Sequence, residues 1–137
     1  GANITTNQRS ISSDDYFIGM FETALNSNEI ITEISFPIPD KSSYIKFPNP
    51  ASRYAMVGVF MAKTGNKVNV AITGASENGV FRSSEIENAL TANFTLESID
   101  GLNISSDGLI SDIHASSSYR ANLIKEMAKR ALKEIIT

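Results

Sequence analysis

The stretch YAMVGVFMAKTGNKVNVAITGA, residues 54–75, decides the fold because it predicts a β-hairpin. Its first arm, residues 54–63, is apolar at both alternating sets of positions, which is typical of a central strand rather than a half-exposed one. The residues TGN, 64–66, supply the turn. The returning arm, 67–75, alternates, with Val68, Val70 and Ile72 on one side and Asn69, Ala71 and Thr73 on the other. We therefore expect a sheet with one covered face and a far face that is partly polar.

Weaker elements precede the hairpin. Residues 12–25 predict a short helix or two turns, because aromatic and Met side chains recur there at helical spacing. Ser12 or Ser13 is the expected N-cap of that helix. Residues 29–39 predict a strand that is stopped by prolines, and residues 43–50 a short extended piece followed by a loop.

Helices follow the hairpin. Residues 83–90 predict a short helix with a capping box between Ser84 and Glu87. The last helix begins after Ser116 and has a continuous apolar stripe, formed by Leu123, Ile124, Met127, Ala128, Ala131, Leu132 and Ile135. Because strands and helices are segregated along the chain, the expected fold is α+β, an antiparallel sheet with helices packed on one face.

Composition excludes several classes of function. The chain has 137 residues, a net charge of −3, one histidine and no cysteine. The charge argues against a nucleic-acid partner, and the missing cysteines exclude disulfides, iron–sulfur ligation and thiolate metal sites. No metal-ligand cluster is expected, and no apolar run is long enough to span a membrane. We expect a cytoplasmic protein.

The single histidine lies in DIHASSSYR, residues 112–120. A hydrolase that uses His114 with a neighbouring serine is conceivable, but sequence neighbours rarely form a triad. We favour a structural interpretation, in which Ser116 or Ser117 caps the last helix and Asp112 lies near its positive end. His114 then has a surface or packing role.

Four stretches in order carry a resemblance: residues 14–39, 51–62, 71–90 and 111–132. The last three, ASRYAMVGVFMA, AITGASENGVFRSSEIENAL and SDIHASSSYRANLIKEMAKRAL, resemble the C-terminal domain of the flavoprotein (medium) subunit of the carbon monoxide dehydrogenase and xanthine dehydrogenase family. The first resembles the segment before that domain, where the second flavin-binding lobe ends. The resemblance implies two parts, a tail of the flavin lobe at 1–38 and a C-terminal α+β domain at 39–137.

Members of this family are molybdenum hydroxylases, in which electrons pass from molybdenum through two [2Fe–2S] clusters to FAD and then to an external acceptor. The resemblance implies FAD in the full subunit. It implies as partners the N-terminal FAD-binding lobes, an iron–sulfur small subunit and a molybdenum large subunit. The glycine-rich loops that hold FAD in the family have no match here. We therefore expect an accessory domain that binds no cofactor and has no activity by itself.

The resemblance also suggests roles for single residues. Lys46 matches a position where relatives have a lysine near the flavin edge, although an ordinary solvent-facing lysine explains it as well. Arg53 would order the loop before the central strand. A cluster at the last helix would cap and dock that helix: Asp112, Ser116, Tyr119 and Arg120. Relatives often have an acidic residue where this chain has Ser118, which weakens a reciprocal capping box. The alternative function is a stand-alone interaction module that shares the fold without flavin or a redox role.

Overall fold

The computed structural model describes all 137 residues, and the chain divides into two compact units, Gly1–Ile38 and Pro39–Thr137. We call them unit 1 and unit 2. The elements of unit 1 are β1 (Asn3–Thr6), β2 (Ser10–Ser12), α1 (Ser13–Tyr16), β3 (Phe17–Gly19), β4 (Glu22–Thr23) and β5 (Ile31–Ser35). Those of unit 2 are β6 (Lys41–Pro48), β7 (Ala55–Thr64), β8 (Lys67–Ser76), β9 (Gly79–Arg82), α2 (Ser84–Ala92), α3 (Leu96–Asp100) and α4 (Ser117–Ile136).

Unit 1 contains a three-stranded sheet in the order β2-β1-β5 and a separate hairpin of β3 and β4. The helix predicted over 12–25 is wrong beyond its first turn: α1 ends at Tyr16 and the chain then forms the hairpin. Ser12 is the N-cap, accepting from the amide of Asp14 at 3.0 Å. The helical spacing of these side chains predicts a buried helix face, but they do not form one. Tyr16 is buried, whereas Phe17, Met20 and Phe21 are exposed.

Unit 2 is built on a four-stranded antiparallel sheet in the order β6-β7-β8-β9. The predicted hairpin is present as β7 and β8, in a register that pairs Val59 with Ile72 and Met61 with Val70. These four side chains are fully buried, and β-branched residues suit such a pleated, buried surface. The apolar residues at alternate positions of β7 and β8 therefore determine which face of the sheet is buried.

The helices of unit 2 cover one face of this sheet. The helix α4 packs on β6, β7 and β8, while α2 packs on β8. Every residue of the predicted apolar stripe of α4 is buried, in one cluster with Ile86, Leu90 and Ile99 of the two shorter helices. The expected α+β fold with helices on one face is confirmed.

The other face of the sheet is not covered by any element of unit 2. Phe60 of β7 points there and keeps 43% of its surface exposed. The prediction that residues 54–63 form a central strand is confirmed, because β7 lies between β6 and β8, and Phe60 is the one apolar residue of the strand that is exposed. We call this surface the outer face and define it by ten residues in three rows: Ser42, Ala62 and Asn69; Tyr44, Phe60, Ala71 and Arg82; Lys46, Gly58 and Thr73.

The capping box predicted for α2 is also absent. Ser83 is the N-cap and makes no side-chain capping bond. The Glu87 carboxylate instead accepts from the backbone amide of Val70 at 2.7 Å and pairs with Arg82. The Glu87 carboxylate that the capping-box pattern assigns to the start of α2 is therefore bonded to the amide of Val70 in β8 instead.

Candidate functional site

Lys46 lies on β6, directly opposite Gly58 of β7. Its Nζ donates to the backbone carbonyl of Arg53 at 3.0 Å, and its side chain is exposed. One of its three N–H donors is thus used inside the chain, and the ammonium can still donate to a partner from outside. The position on the outer face leaves the flavin role of Lys46 a prediction.

Arg53 stands in the loop between β6 and β7, with a positive φ of 63°. Its amide donates to the carbonyl of Asn49 at 2.9 Å, and its own carbonyl accepts from Lys46. Asn49 also accepts from the amides of Ala51 and Ser52 through its side chain, at 2.9 and 3.2 Å. The bonds that order this loop come from the Arg53 backbone and from Asn49. The Arg53 side chain is exposed, and its contribution stays a prediction.

Sequence reasoning missed Asn49. The signal was present as Pro48-Asn49-Pro50, because an Asn side chain often bonds to backbone amides two and three residues ahead and so forms a turn.

The start of α4 brings the four residues of the predicted cluster together. Ser116 is the N-cap, and its Oγ accepts from the amide of Tyr119 at 3.2 Å. The Asp112 carboxylate accepts from the amides of His114 and Ala115 at 2.9 and 3.0 Å, which closes a turn just before the helix. The Tyr119 ring packs edge-on against Phe47 of β6, with ring centres 6.4 Å apart.

Arg120 is the centre of this cluster and is 4% exposed. One guanidinium nitrogen donates to the carbonyls of Met56 and Gly74, at 2.7 and 3.1 Å, and the other pairs with Asp112 at 2.8 Å. The helix is therefore joined to the facing ends of β7 and β8 by one buried cation. Such a group stabilises a fold only while each of its charged and polar partners stays in place.

The electrostatics of Asp112 follow from these bonds. The Ala115 amide is the largest cause that lowers the pKa of Asp112, and the His114 amide and Arg120 act in the same direction. All of them stabilise the ionised carboxylate. The carboxylate acts as a structural acceptor and is not arranged as a general base.

His114 itself is exposed, and its only hydrogen bond is the one from its backbone amide to Asp112. Its ring bonds to no serine, although the Oγ atoms of Ser116 and Ser118 bond to each other at 3.1 Å. A nucleophile needs a base within hydrogen-bond reach and an orienting partner for that base. The structure gives the serine–histidine hydrolase no such arrangement.

A cavity of about 310 Å³ lies in unit 2 between the β8–β9 turn, the start of α2 and the loop before Leu109. Its polar lining includes several serines and three charged residues, Arg82, Glu85 and Asp107. The structure contains no group of three or more His, Asp or Glu residues that could hold a metal ion. No helix is long and apolar enough to cross a membrane.

No protein-family model matches the chain. It is 28% identical to the nicotine 6-hydroxylase medium subunit of Paenarthrobacter nicotinovorans, with 93% of this chain and 48% of that protein aligned. It is 29% identical to the glyceraldehyde dehydrogenase medium chain of Sulfolobus acidocaldarius, over 93% of this chain and 49% of that protein. The carbon monoxide dehydrogenase medium chain of Hydrogenophaga pseudoflava is 27% identical, with 91% and 47% covered.

The fold is similar to that of quinoline 2-oxidoreductase from Pseudomonas putida 86, with a TM-score of 0.74 and 21% identity. The similarity covers 98% of this chain and 52% of that one. The chain thus spans about half the length of the relatives that it matches. The resemblance predicted from the sequence is confirmed, and the chain is related to the medium subunits of carbon monoxide dehydrogenase-type oxidoreductases.

Proposed function

We propose that this chain is the C-terminal part of the FAD-containing medium subunit of a molybdenum hydroxylase, and that it has no activity by itself. Unit 1 is then the end of a flavin-binding lobe, and unit 2 is an accessory domain. The observation that carries the proposal is the similarity to three medium subunits over more than nine-tenths of this chain but only half of theirs. The partners would be the FAD-binding lobes and the iron–sulfur and molybdenum subunits, in a cytoplasmic complex.

The residues present do not fit FAD as a cradle. The cavity in unit 2 is at the small end of the roughly 300–1,000 Å³ of pockets for drug-sized ligands, and FAD is a larger molecule. The charged residues of its lining are Arg82, Glu85 and Asp107, so the cavity has no excess of positive charge for a pyrophosphate. No step of a flavin reaction is therefore assigned to this chain. Its proposed role is to complete and hold the subunit through which electrons pass from the [2Fe–2S] clusters to FAD and an acceptor.

The experiment compares two proteins, the product of the complete reading frame and residues 1–137 alone. Each is purified and titrated with FAD while the quenching of flavin fluorescence is followed. We expect the complete product to contain FAD and the chain alone to show no saturable binding at micromolar protein. A complete product that never binds flavin would favour the alternative, a stand-alone interaction module with this fold.

Lys46 is tested in the complete product. If it approaches the flavin, Lys46→Met weakens FAD binding, whereas Lys67→Met, an exposed lysine at the start of β8, leaves the affinity unchanged. Equal affinities in the two variants would make Lys46 an ordinary surface lysine.

A further inference from the structure

Asn78 is the only asparagine of this chain that is followed by glycine. The two residues lie at the turn between β8 and β9, where Ser76 pairs with Gly79. Asparagine is among the thermally labile residues of proteins. The backbone nitrogen of the next residue can attack its side-chain amide carbon, and glycine has no Cβ atom to hinder that approach. The Asn78-Gly79 pair is therefore the most reactive asparagine site in the sequence.

The side chain of Asn78 is free to take part in this reaction. It is exposed, and its amide group makes no hydrogen bond within the chain. Only the backbone amide of the residue is bonded, to Ser76 Oγ at 3.0 Å. Other asparagines are held in place, since the Oδ1 atoms of Asn7 and Asn49 accept from backbone amides. Asn78 can therefore rotate its side chain until Cγ meets the Gly79 nitrogen.

The shape of the turn requires the glycine but not the asparagine. Gly79 has a φ of 91°, in the left-handed region that favours glycine, whereas Asn78 has no positive φ. Asparagine is common in turns because it tolerates a left-handed backbone and because its side chain bonds to nearby amides. Asn78 does neither. Turn geometry thus explains Gly79 and leaves the Asn78 side chain without a structural role.

We propose that Asn78 is a self-modification site, at which the chain converts an asparagine into isoaspartate and aspartate and thereby loosens the loop before Leu109. This does not rest on the proposed function. In the first step the Gly79 nitrogen loses its proton and bonds to Cγ of Asn78, while the Cγ–Nδ2 bond breaks and ammonia leaves. Because Gly79 pairs with Ser76, this step occurs when the turn opens locally.

Water completes the conversion. It adds to one of the two carbonyl groups of the succinimide ring formed in the first step. If the bond between the ring nitrogen and Cγ breaks, the product at residue 78 is aspartate. If the bond to the backbone carbonyl carbon breaks, the main chain runs through Cβ and Cγ, and the product is isoaspartate. Water is the only co-reactant, and either product has a carboxylate in place of a neutral amide.

The turn at Asn78 is joined to the loop before Leu109. Leu109 forms a bridge with Ser76 at the end of β8, and its side chain is buried. The amide of Ile110 donates to the carbonyl of Ala75 at 2.8 Å. Isoaspartate adds a main-chain atom to the turn, so the pairing at Ser76 cannot be kept in its present register. The bonds that hold the loop should weaken with it.

Charge acts in the same direction. Asn78 lines the cavity of unit 2 together with Glu85, Asp107 and Arg82. The Arg82 guanidinium is already paired with Glu87. A new carboxylate at residue 78 therefore adds to the negative charge of the lining, and like charges repel.

The test follows the complete reading-frame product at neutral and mildly alkaline pH by peptide mass spectrometry. Asn66 is the matched internal control, because it is an exposed asparagine in the β7–β8 turn and is followed by Lys67, which pairs with Thr64. We expect Asn78 to convert at least about tenfold faster than Asn66, since only glycine leaves the attacking nitrogen unhindered. Isoaspartate should accumulate and accept a methyl group from a protein-isoaspartate methyltransferase. Equal rates at the two asparagines, or aspartate without isoaspartate, would overturn the proposal.

Two variants separate the glycine from the turn. Lys67→Gly gives Asn66 the same successor as Asn78, and Asn66 should then convert as well. Asn78→Gln should stop the conversion and leave the turn intact, because the Asn78 side chain makes no bond that could be lost. An Asn66 that stays intact in the Lys67→Gly chain would contradict the role assigned to glycine.

Hydrogen exchange at the Ile110 amide measures the effect on the loop. In the converted protein we expect this amide to exchange at least about fivefold faster than in the Asn78→Gln chain incubated in the same way, because its bond to Ala75 opens locally. The amide of Val59, in the core of unit 2, should be unchanged. Conversion of Asn78 with no change at Ile110 would contradict the coupling between the turn and the loop.

Discussion

Unit 1 and unit 2 bury apolar side chains to very different extents. Unit 2 has a continuous core that runs from the sheet through all three helices. The core of unit 1 consists of Ile4, Ile11 and Tyr16, while large side chains such as Phe21 and Ile38 are almost fully exposed. A segment of about 40 residues rarely folds on so small a core. Unit 2 therefore has a core of the size that stabilises a domain, whereas the core of unit 1 is far smaller.

Polar bonds replace the missing core in unit 1. The Glu29 side chain is fully buried and pairs with Arg9 at 2.7 Å. It also accepts from the amide of Asn26 and the hydroxyl of Thr6, at 2.7 and 3.2 Å. Arg9 further donates to the carbonyl of Ala24 at 2.5 Å. One carboxylate thus connects the β1–β2 turn with the loop before β5, and the order of unit 1 depends on its charge.

The largest effect should come from the core of unit 2. Leu132 is fully buried on α4, and Leu132→Ala should lower the free energy of unfolding by about 2–5 kcal/mol. Ile136→Ala, at a half-exposed residue one turn later, should change it by less than about 0.5 kcal/mol. Urea unfolding followed at residues of each unit measures both. If unit 1 always unfolds together with unit 2, the two form one cooperative body and the contrast is wrong.

Acid should disorder unit 1 first. The Arg9 bond, with the Asn26 amide, lowers the pKa of Glu29 from 4.5 to about 2. Because the pKa in the folded state is the lower one, the stability from this group is complete above pH 4.5 and is lost as the pH falls towards 2. An NMR titration of the Glu29 carboxyl carbon measures the midpoint. A midpoint near 4.5 would show that the Arg9–Glu29 pair is not formed in solution.

The cap of α4 should have a smaller effect. Ser116→Ala removes the acceptor for the Tyr119 amide and should cost about 1 kcal/mol. Ser111→Ala, at an exposed residue before the helix, is the matched control and should be neutral. Thermal unfolding by circular dichroism compares them. Equal melting temperatures would mean that water replaces the serine oxygen at no cost.

The smallest effect is expected at Thr73. Its Oγ1 is buried without a hydrogen-bond partner, so Thr73→Val removes an unsatisfied group and keeps the shape. The free energy of unfolding should stay within about 0.5 kcal/mol or rise. The matched change in unit 1 is Thr6→Val. The Thr6 hydroxyl accepts from the amides of Gln8 and Arg9, so its removal should lower the free energy of unfolding. A clear decrease in the free energy of unfolding for Thr73→Val would show that the Thr73 hydroxyl has a hydrogen-bond partner in solution.

Long periodic segments could be predicted from the sequence and short irregular ones could not. The β7–β8 hairpin and α4 could be predicted because each has a regular apolar pattern. The alternation in β8 and the apolar stripe of α4 each identify one face that must be buried. The sequence analysis does not predict β1 and β2, because NITT and SIS are short and contain one isoleucine each, too few residues for an alternation to be recognised. The aromatic residues of the β3–β4 hairpin recur at helical spacing, which predicts a helix where the structure has two paired strands.

Part of the site could be found in the same way. Asp112, Ser116, Tyr119 and Arg120 belong to one local pattern, so the sequence brings them together. The carbonyls that bind Arg120 belong to Met56 and Gly74, far away along the chain, and no local pattern points to them. Long-range backbone acceptors become visible only when the strands and the helix are assembled.

Native-state hydrogen exchange of residues 1–137, read at single amides, tests the central contrast most directly. Amides in a large buried core exchange only on global unfolding, whereas a region with few buried apolar contacts opens locally. We predict slow exchange at the core strands β7 and β8 and fast exchange in β1, β2 and β5. Equal, slow exchange in both sheets would contradict the account, because unit 1 would then be as stable as unit 2 in spite of its small core.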